Sequence, residues 1–119
     1  MKYSILIYES PADFAALQDP RQGEAIMTGV MHYLQTLQDA GVFVGGAGLQ
    51  PPDTATSLRL RDDGQRRVQD GPFADVKEQL GGFFIIDVPH LDAALEWAAR
   101  FPQRSGQVVE VRPNLPEDG

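Results

Sequence analysis

The chain contains no cysteine and only two histidines. The absence of cysteine excludes disulfides, thiolate zinc sites and cysteine nucleophiles. His32 and His90 lie far apart and show no metal-binding spacing, so the sequence predicts no metal site and no cofactor. A cysteine-free chain whose N-terminus reads as a strand and not as a signal peptide is expected in the cytoplasm.

Long hydrophobic runs and an excess of positive charge are also missing. No apolar run approaches the ~20 residues that a membrane-spanning helix needs. The net charge of −7 argues against nucleic acid and anionic membranes as partners, since both attract proteins through surplus Lys and Arg. The 119 residues, of which 42% are hydrophobic, are enough for one domain with a buried core.

Apolar residues recur along the chain with two different periods. Strand-like patterns predict strands at 2–8, 42–49, 56–61, 65–68, 82–88 and 107–112, and Asp63-Gly64 predicts a two-residue hairpin turn. A helical period predicts helices at 21–40 and 90–101, and a short helical turn is expected at 13–17.

This order of elements predicts an α+β domain, with two helices on one face of an antiparallel sheet. The arrangement is ferredoxin-like, βαβ-βαβ with an added hairpin, over residues 1–113, and residues 114–119 form a polar C-terminal tail. The opposite face of a lone sheet would expose apolar surface, so we expect the chain to form a homodimer.

Residues 70–84, DGPFADVKEQLGGFF, concentrate the unusual chemistry of the chain. Asp70 precedes Gly71-Pro72, where an aspartate commonly serves a turn by accepting backbone N–H groups. The same carboxylate, held rigidly at the mouth of a cavity, would be a candidate general acid or base. Both interpretations of Asp70 stay open.

Four further side chains are candidates for the lining of such a cavity. Phe73 is either a core residue or a platform for a ligand. Lys77 either pairs with a carboxylate such as Glu78 or anchors an anionic group of a ligand. Tyr8 either packs its ring or directs its hydroxyl to the cavity. The predicted ligand-binding residues are Tyr8, Asp70, Phe73, Lys77 and Glu78, and Asp70 is the predicted catalytic residue.

Four segments of the chain resemble the YCII-related family, in the branch named for its DGPF motif. They are MKYSILIY at the start, AGVFVGGAGLQPP at 40–52, DGPFADVKEQLGGFFIIDV at 70–88, and LDAALEWAARFP at 91–102 followed by VEVRP at 109–113. The resemblance implies a ferredoxin-like fold that pairs as a dimeric α/β barrel. It also implies a cavity in which an acid and a histidine have been suspected of catalysis.

The resemblance places that acid at Asp70, but this chain lacks the histidine of the family. Counting back from Gly41 puts the histidine position at Val30, whereas His32 falls on the polar face of the helix. Some members of the branch are thought to act alongside alternative sigma factors, which implies a regulatory partner as another role.

The sequence therefore leaves three functions open. We expect a module that binds a small organic ligand, anionic if Lys77 takes part, beside the DGPF motif. The alternatives are a cofactor-independent enzyme with Asp70 as general acid or base, and a regulatory partner of an alternative sigma factor.

Overall fold

A four-stranded antiparallel sheet, a separate two-stranded sheet and three α-helices make up residues 1–117, the part of the chain that the computed structural model describes. The strands are β1 (Lys2–Glu9), β2 (Phe43–Gly48), β3 (Thr56–Leu60), β4 (Arg66–Asp70), β5 (Gln79–Asp87) and β6 (Val108–Pro113). The helices are α1 (Pro11–Gln18), α2 (Pro20–Asp39) and α3 (Leu91–Ala99), and a single 3₁₀ turn spans Pro52–Thr54.

The large sheet has the order β2-β5-β1-β6, and each neighbouring pair is antiparallel. The α+β prediction is confirmed, and this strand order is compatible with the predicted ferredoxin-like arrangement. Residues of β1 alternate between two environments as predicted, because successive side chains of a strand point to opposite faces. Tyr3, Ile5 and Ile7 are buried in the core, whereas Ser4 and its alternate neighbours on the other face are only half-buried.

Two helices begin at prolines, ahead of their predicted starts. Pro11 opens α1 directly after the cap Ser10, and Pro20 opens α2 after the cap Asp19, whose carboxylate accepts from the N–H groups of Arg21 and Gln22. Proline suits the first helical position because that N–H has no partner within the helix. The predicted turn at 13–17 is therefore too short, and the predicted start of α2 is one residue late.

The C-terminus of α2 is closed by Gly41, as predicted. Gly41 has a φ of 73°, which is the left-handed conformation that favours glycine, and the N–H of Val42 donates to the carbonyl of Leu37 at 3.2 Å. The chain then reverses into β2.

The core lies between the helices and the large sheet. Ile5, Leu37 and Ile86 are fully buried at its centre. Tyr33 packs edge-on against Phe84 with 5.3 Å between ring centroids, and its hydroxyl donates to the Trp97 carbonyl at 2.7 Å. This hydroxyl links α2 to α3 because both elements contribute to the bond.

Burial of Tyr33 makes the stability of the protein sensitive to alkaline pH. Burial, opposed by the charge of Arg100, raises the pKa of Tyr33 to about 12 from its ordinary 10.0. Between these two values the folded chain holds the proton more tightly than the unfolded chain does. Stability is therefore unaffected below pH ~10 and falls as the pH rises toward ~12.

We expect Tyr33→Phe to reduce this loss of stability, which is measured as the decrease of the urea midpoint between pH ~10 and pH ~12. Tyr8 is half-exposed, so Tyr8→Phe should largely retain the loss. Parallel curves for wild type and Tyr33→Phe would contradict the assignment.

The β3–β4 hairpin differs from its prediction in two respects. Its loop has three residues, 62–64, because the Arg61 N–H donates to the Gln65 carbonyl at 2.7 Å and Gly64 takes a φ of 85°. The two strands also form a sheet of their own. All residues of β4 are exposed, so the hairpin is open on both faces.

The C-terminal end of the described chain runs along β1. The N–H of Asn114 donates to the Lys2 carbonyl at 2.9 Å, and Lys2 Nζ pairs with the Glu117 carboxylate at 2.7 Å. The predicted tail begins within this stretch, and its last two residues, 118–119, lie outside the described residues. None of the helices within residues 1–117 is long and apolar enough to cross a membrane.

Candidate functional site

The last residue of β1 is a buried acid. Glu9 follows Tyr3, Ile5 and Ile7 in the same alternation and is only 4% exposed. Its Oε1 atom accepts a hydrogen bond from Arg104 Nη2 at 2.7 Å and another from Gln107 Nε2 at 2.9 Å. The strand that carries the core therefore ends in a carboxylate held by two side chains from the far end of the chain.

A second buried acid belongs to the cap of α1. Ser10 and Asp13 form a capping box, in which the Asp13 N–H donates to Ser10 Oγ and the Ser10 N–H donates to Asp13 Oδ2 at 3.1 Å. Asp13 is 5% exposed, and its Oδ1 lies 3.3 Å from Arg104 Nη1. Arg104 thus binds both acids through its two terminal nitrogens.

The turn at residues 104–107 presents the arginine. The Arg104 N–H donates to Gln107 Oε1 at 2.7 Å, and Gly106 has a φ of 97°. A Cβ on Gly106 would lie 3.0 Å from Asp13 Oδ2, so glycine also allows this turn to approach the cap of α1. The turn and the end of β1 form one polar cluster, which we call the acid cluster: Glu9, Ser10, Asp13, Arg104 and Gln107.

Three members of the acid cluster, Glu9, Arg104 and Gln107, form the polar part of the lining of an otherwise apolar cleft of about 250 Å³. On one side α2 contributes Ile26, Met27, Val30, Met31 and Leu34. On the other side the sheet contributes apolar side chains and the backbone of its glycine-rich edge, namely Ile7, Phe43, Phe84, Gly46, Ala47 and Gly48. Met27 and Met31 line the cleft and are exposed, so the cleft is open to solvent beside α2.

Two glycines allow this geometry. A Cβ on Gly81 would overlap the Glu9 carboxylate, and a Cβ on Gly46 would collide with the Phe83 carbonyl. Both glycines fall in the glycine-rich segments that the sequence singles out. Their role is close approach of backbone to a neighbouring group, as expected for glycine within strands.

Two polar atoms of the acid cluster are left without partners. Within residues 1–117, no donor reaches Oε2 of Glu9, and Arg104 Nε is buried without a hydrogen bond. Glu9 and Asp13 together carry one more negative charge than Arg104 neutralises. The cluster can therefore accept a hydrogen bond from a molecule in the cleft. No three His, Asp or Glu side chains of the described chain converge as metal ligands.

The structure places the DGPF residues elsewhere. Gly71 has a φ of 97°, a conformation that favours glycine, and its N–H donates to the Ala55 carbonyl. Asp70, Phe73, Lys77 and Glu78 are all exposed, and none of them lines the cleft.

The predicted convergence of a carboxylate and an ammonium is not seen within one described chain. No hydrogen bond or ion pair described within residues 1–117 joins Asp70 to Lys77, or Lys77 to Glu78. Phe73 stacks on Arg59, with the guanidinium carbon 4.7 Å from the ring centroid. An open depression beside the bend is lined by Pro72 and Leu80, but not by the four predicted residues. Their role in binding stays a prediction.

Tyr8 lies on the sheet face opposite the cleft. Its alternation with Ile7 and Glu9 points it away from both, and its hydroxyl donates to the Glu110 carboxylate at 3.3 Å. Burial, together with the Glu110 charge, raises the pKa of Tyr8. The sheet therefore separates Tyr8 from the acid cluster.

The histidines do not enter the cleft, whereas Val30 does. His32 is exposed on α2, and His90 caps α3, with its Nδ1 accepting from the Ala93 N–H at 3.2 Å. The exposure of His32 confirms its expected place on the polar face of the helix. Val30, where the resemblance implies a histidine, lines the cleft.

Sequence reasoning missed the whole acid cluster. Two signals were present: Glu9 continues the phase of the buried residues of β1, and Ser10-x-x-Asp13 has the spacing of a capping box. No local signal identifies Arg104 as their partner, because it lies 95 positions after Glu9.

These features define a small α+β domain with a ligand-sized cleft between a helix and the sheet edge. A family model of the YCII-related domain matches residues 1–117. An uncharacterized protein of Rhizobium meliloti (strain 1021) is 34% identical over 115 residues, which cover 95% of this chain and 91% of that protein. The chain therefore belongs to the YCII-related family, as its four segments predicted.

Proposed function

We propose that this protein binds a small organic molecule in the cleft between α2 and the sheet. The observation that carries the proposal is a carboxylate in the lining of an otherwise apolar cleft: Glu9 uses Oε1 to bind Arg104 and Gln107, and its Oε2 has no hydrogen-bond partner within the described chain. Ligand sites in proteins commonly combine apolar walls with a few polar groups that fix the orientation of the ligand. The volume of about 250 Å³ suits a molecule smaller than a typical drug, for which pockets begin at ~300 Å³.

The acid cluster favours a neutral or cationic ligand with an N–H or O–H donor. An anionic group would meet the surplus negative charge of Glu9 and Asp13, and the two terminal nitrogens of Arg104 are already bound to these acids. A donor would instead satisfy Oε2, and the apolar remainder of the ligand would lie against Val30 and Phe84. This proposal moves the ligand from the DGPF bend to the cleft between α2 and the sheet.

A pair of fluorescent probes tests the charge preference. N-phenylnaphthylamine carries an N–H donor on an apolar skeleton, and anilinonaphthalene sulfonate adds an anionic group to the same skeleton. We expect the neutral probe to bind at least about tenfold more tightly, because the sulfonate meets unpaired negative charge. Fluorescence titration of both probes against the full chain gives the ratio. Equal affinity, or tighter binding of the sulfonate, would contradict a donor-selective cleft.

Matched tryptophan variants locate the bound probe. Val30→Trp places a large ring inside the cleft and should abolish binding, while His32→Trp adds the same ring to the exposed face of the same helix and should leave it unchanged. Urea titrations of both variants verify that they remain folded. Binding that survives Val30→Trp would show that the probe lies elsewhere.

The enzymatic and regulatory alternatives remain predictions. Asp70 is exposed, and no described contact favours it as a general base. Turnover lost in Asp70→Asn with the fold retained would support the enzyme, and a stable complex with a sigma factor would support the regulator. The cytoplasmic location stays an expectation.

We also propose that two copies pair through the sheet face that carries Tyr8. Leu6, Phe83 and Ile85 lie side by side at the centre of this face according to the strand register. A contiguous apolar sheet face is a common basis of association, and pairing of two such faces would give the barrel-type dimer that the resemblance implies. The cleft lies on the other face and would stay open in such a dimer.

A further inference from the structure

The hairpin formed by β3, β4 and their loop projects from the rest of the molecule. We call residues 56–70 the arm. The radius of gyration is 16.3 Å, against about 13.5 Å expected for a compact chain of this length. Its strands pair with each other in a sheet separate from the large one. The arm is therefore held mainly by its own ladder and by the bend at Gly71.

One face of the arm carries three exposed apolar side chains, and we call it the apolar face. The register puts Leu58 opposite Val68 and Leu60 opposite Arg66 on this face, and the three apolar side chains are 63%, 64% and 71% exposed. The other face carries Arg59, Arg67 and polar neighbours. An isolated two-stranded hairpin is at best marginally stable in water, and this one leaves its apolar face uncovered within the described chain.

We propose that the apolar face of the arm packs on a second copy of this chain. The charge distribution selects that partner: the arm holds four of the ten Lys and Arg residues but only three of the seventeen Asp and Glu residues. The rest of the chain carries the whole acidic excess, so the arm of one copy is attracted to the body of another. The proposal extends the pairing inferred above, since a two-fold dimer would cover both arms at once.

Paired variants of the arm separate its two faces. Leu58→Ser with Val68→Ser removes the apolar face, and Arg67→Ser with Gln69→Ser alters the opposite face of the same hairpin. We expect the first variant to raise the dimer dissociation constant about 100-fold or more, because each dimer would lose two apolar contacts per arm. The second should change it less than about tenfold, as exposed charges contribute little. Sedimentation of the full chain over a concentration series measures both.

Three results would overturn the proposal. If the wild-type chain sediments as a monomer at all concentrations, a second copy does not cover the arm. Equal dissociation constants for the two variants remove the arm from the interface but leave pairing through the sheet face, and probe binding in the cleft, intact. A smaller effect of the apolar-face variant than of its control assigns the contact to the polar face.

Thiol reactivity gives a second, independent readout. Because the chain has no cysteine, Leu58→Cys and Gln69→Cys each introduce a single thiol, on opposite faces of the arm. At a concentration at which the dimer forms, we expect the thiol of Leu58→Cys to react with a soluble disulfide reagent at least about tenfold more slowly than that of Gln69→Cys. Dilution to monomer should make the two rates equal. Equal rates at high concentration would contradict the proposal.

Discussion

Replacement of Arg104 by alanine is expected to lower the free energy of unfolding by about 3 kcal/mol. The change removes the cation between two carboxylates that are each about 95% buried, and it leaves both without their charged partner. Loss of one member of a buried ion pair typically costs about 3–5 kcal/mol. The lower end applies because the Arg104 side chain is itself 23% exposed and water can enter.

Urea denaturation measures this effect, since a non-ionic denaturant does not screen the charges. The matched control is Arg100→Ala: Arg100 is an exposed arginine that stacks on Trp97 at 4.5 Å, and its loss should cost less than about 1 kcal/mol. Arg104→Lys retains the charge but cannot bind two carboxylates in the same forked geometry, so an intermediate loss is expected. Equal stabilities of Arg104→Ala and Arg100→Ala would contradict the prediction that Arg104 stabilises the fold through the two buried carboxylates.

Gly81→Ala is the second large effect, with an expected loss of about 2 kcal/mol. The new Cβ would overlap the Glu9 carboxylate and lie 2.7 Å from its Cδ atom. That carboxylate cannot swing aside without breaking its bonds to Arg104 and Gln107. Gly45→Ala in the neighbouring strand meets nothing within 4 Å and should change stability by less than about 1 kcal/mol.

A double-mutant cycle isolates the steric cause. Glu9→Ala opens the space that the new methyl group needs, so the cost of Gly81→Ala should shrink by about 1–2 kcal/mol in that background. Additive losses would mean that Gly81 acts through its own backbone and not through Glu9.

The general fold could be predicted because its signals are local. The alternation of β1, the helical period of α2 and the glycine at its end each report on a few neighbouring residues. The errors arose at helix starts: α1 begins at Pro11 and α2 at Pro20, before the predicted positions 13 and 21, because proline also suits the first helical position. The predicted two-residue loop of the arm was wrong because a glycine with a positive φ, here Gly64, occurs in three-residue hairpin loops as well.

The site was harder to predict because its parts come from opposite ends of the chain. A polar motif such as DGPF attracts attention, yet Asp70 and Lys77 are exposed within one chain. The burial of Glu9 is indicated only by its phase, which continues that of the buried residues of β1. Its meaning depends on Arg104, and no periodicity links positions 95 residues apart.

That separation also orders events during synthesis. While the ribosome is still adding the first hundred residues, the two carboxylates near the N-terminus have no guanidinium to meet. The nascent chain can form the early strand and helices, but the polar end of the cleft is assembled only after the last turn has emerged. Any fragment that stops before Arg104 would therefore carry the apolar walls of the cleft without its hydrogen-bonding floor.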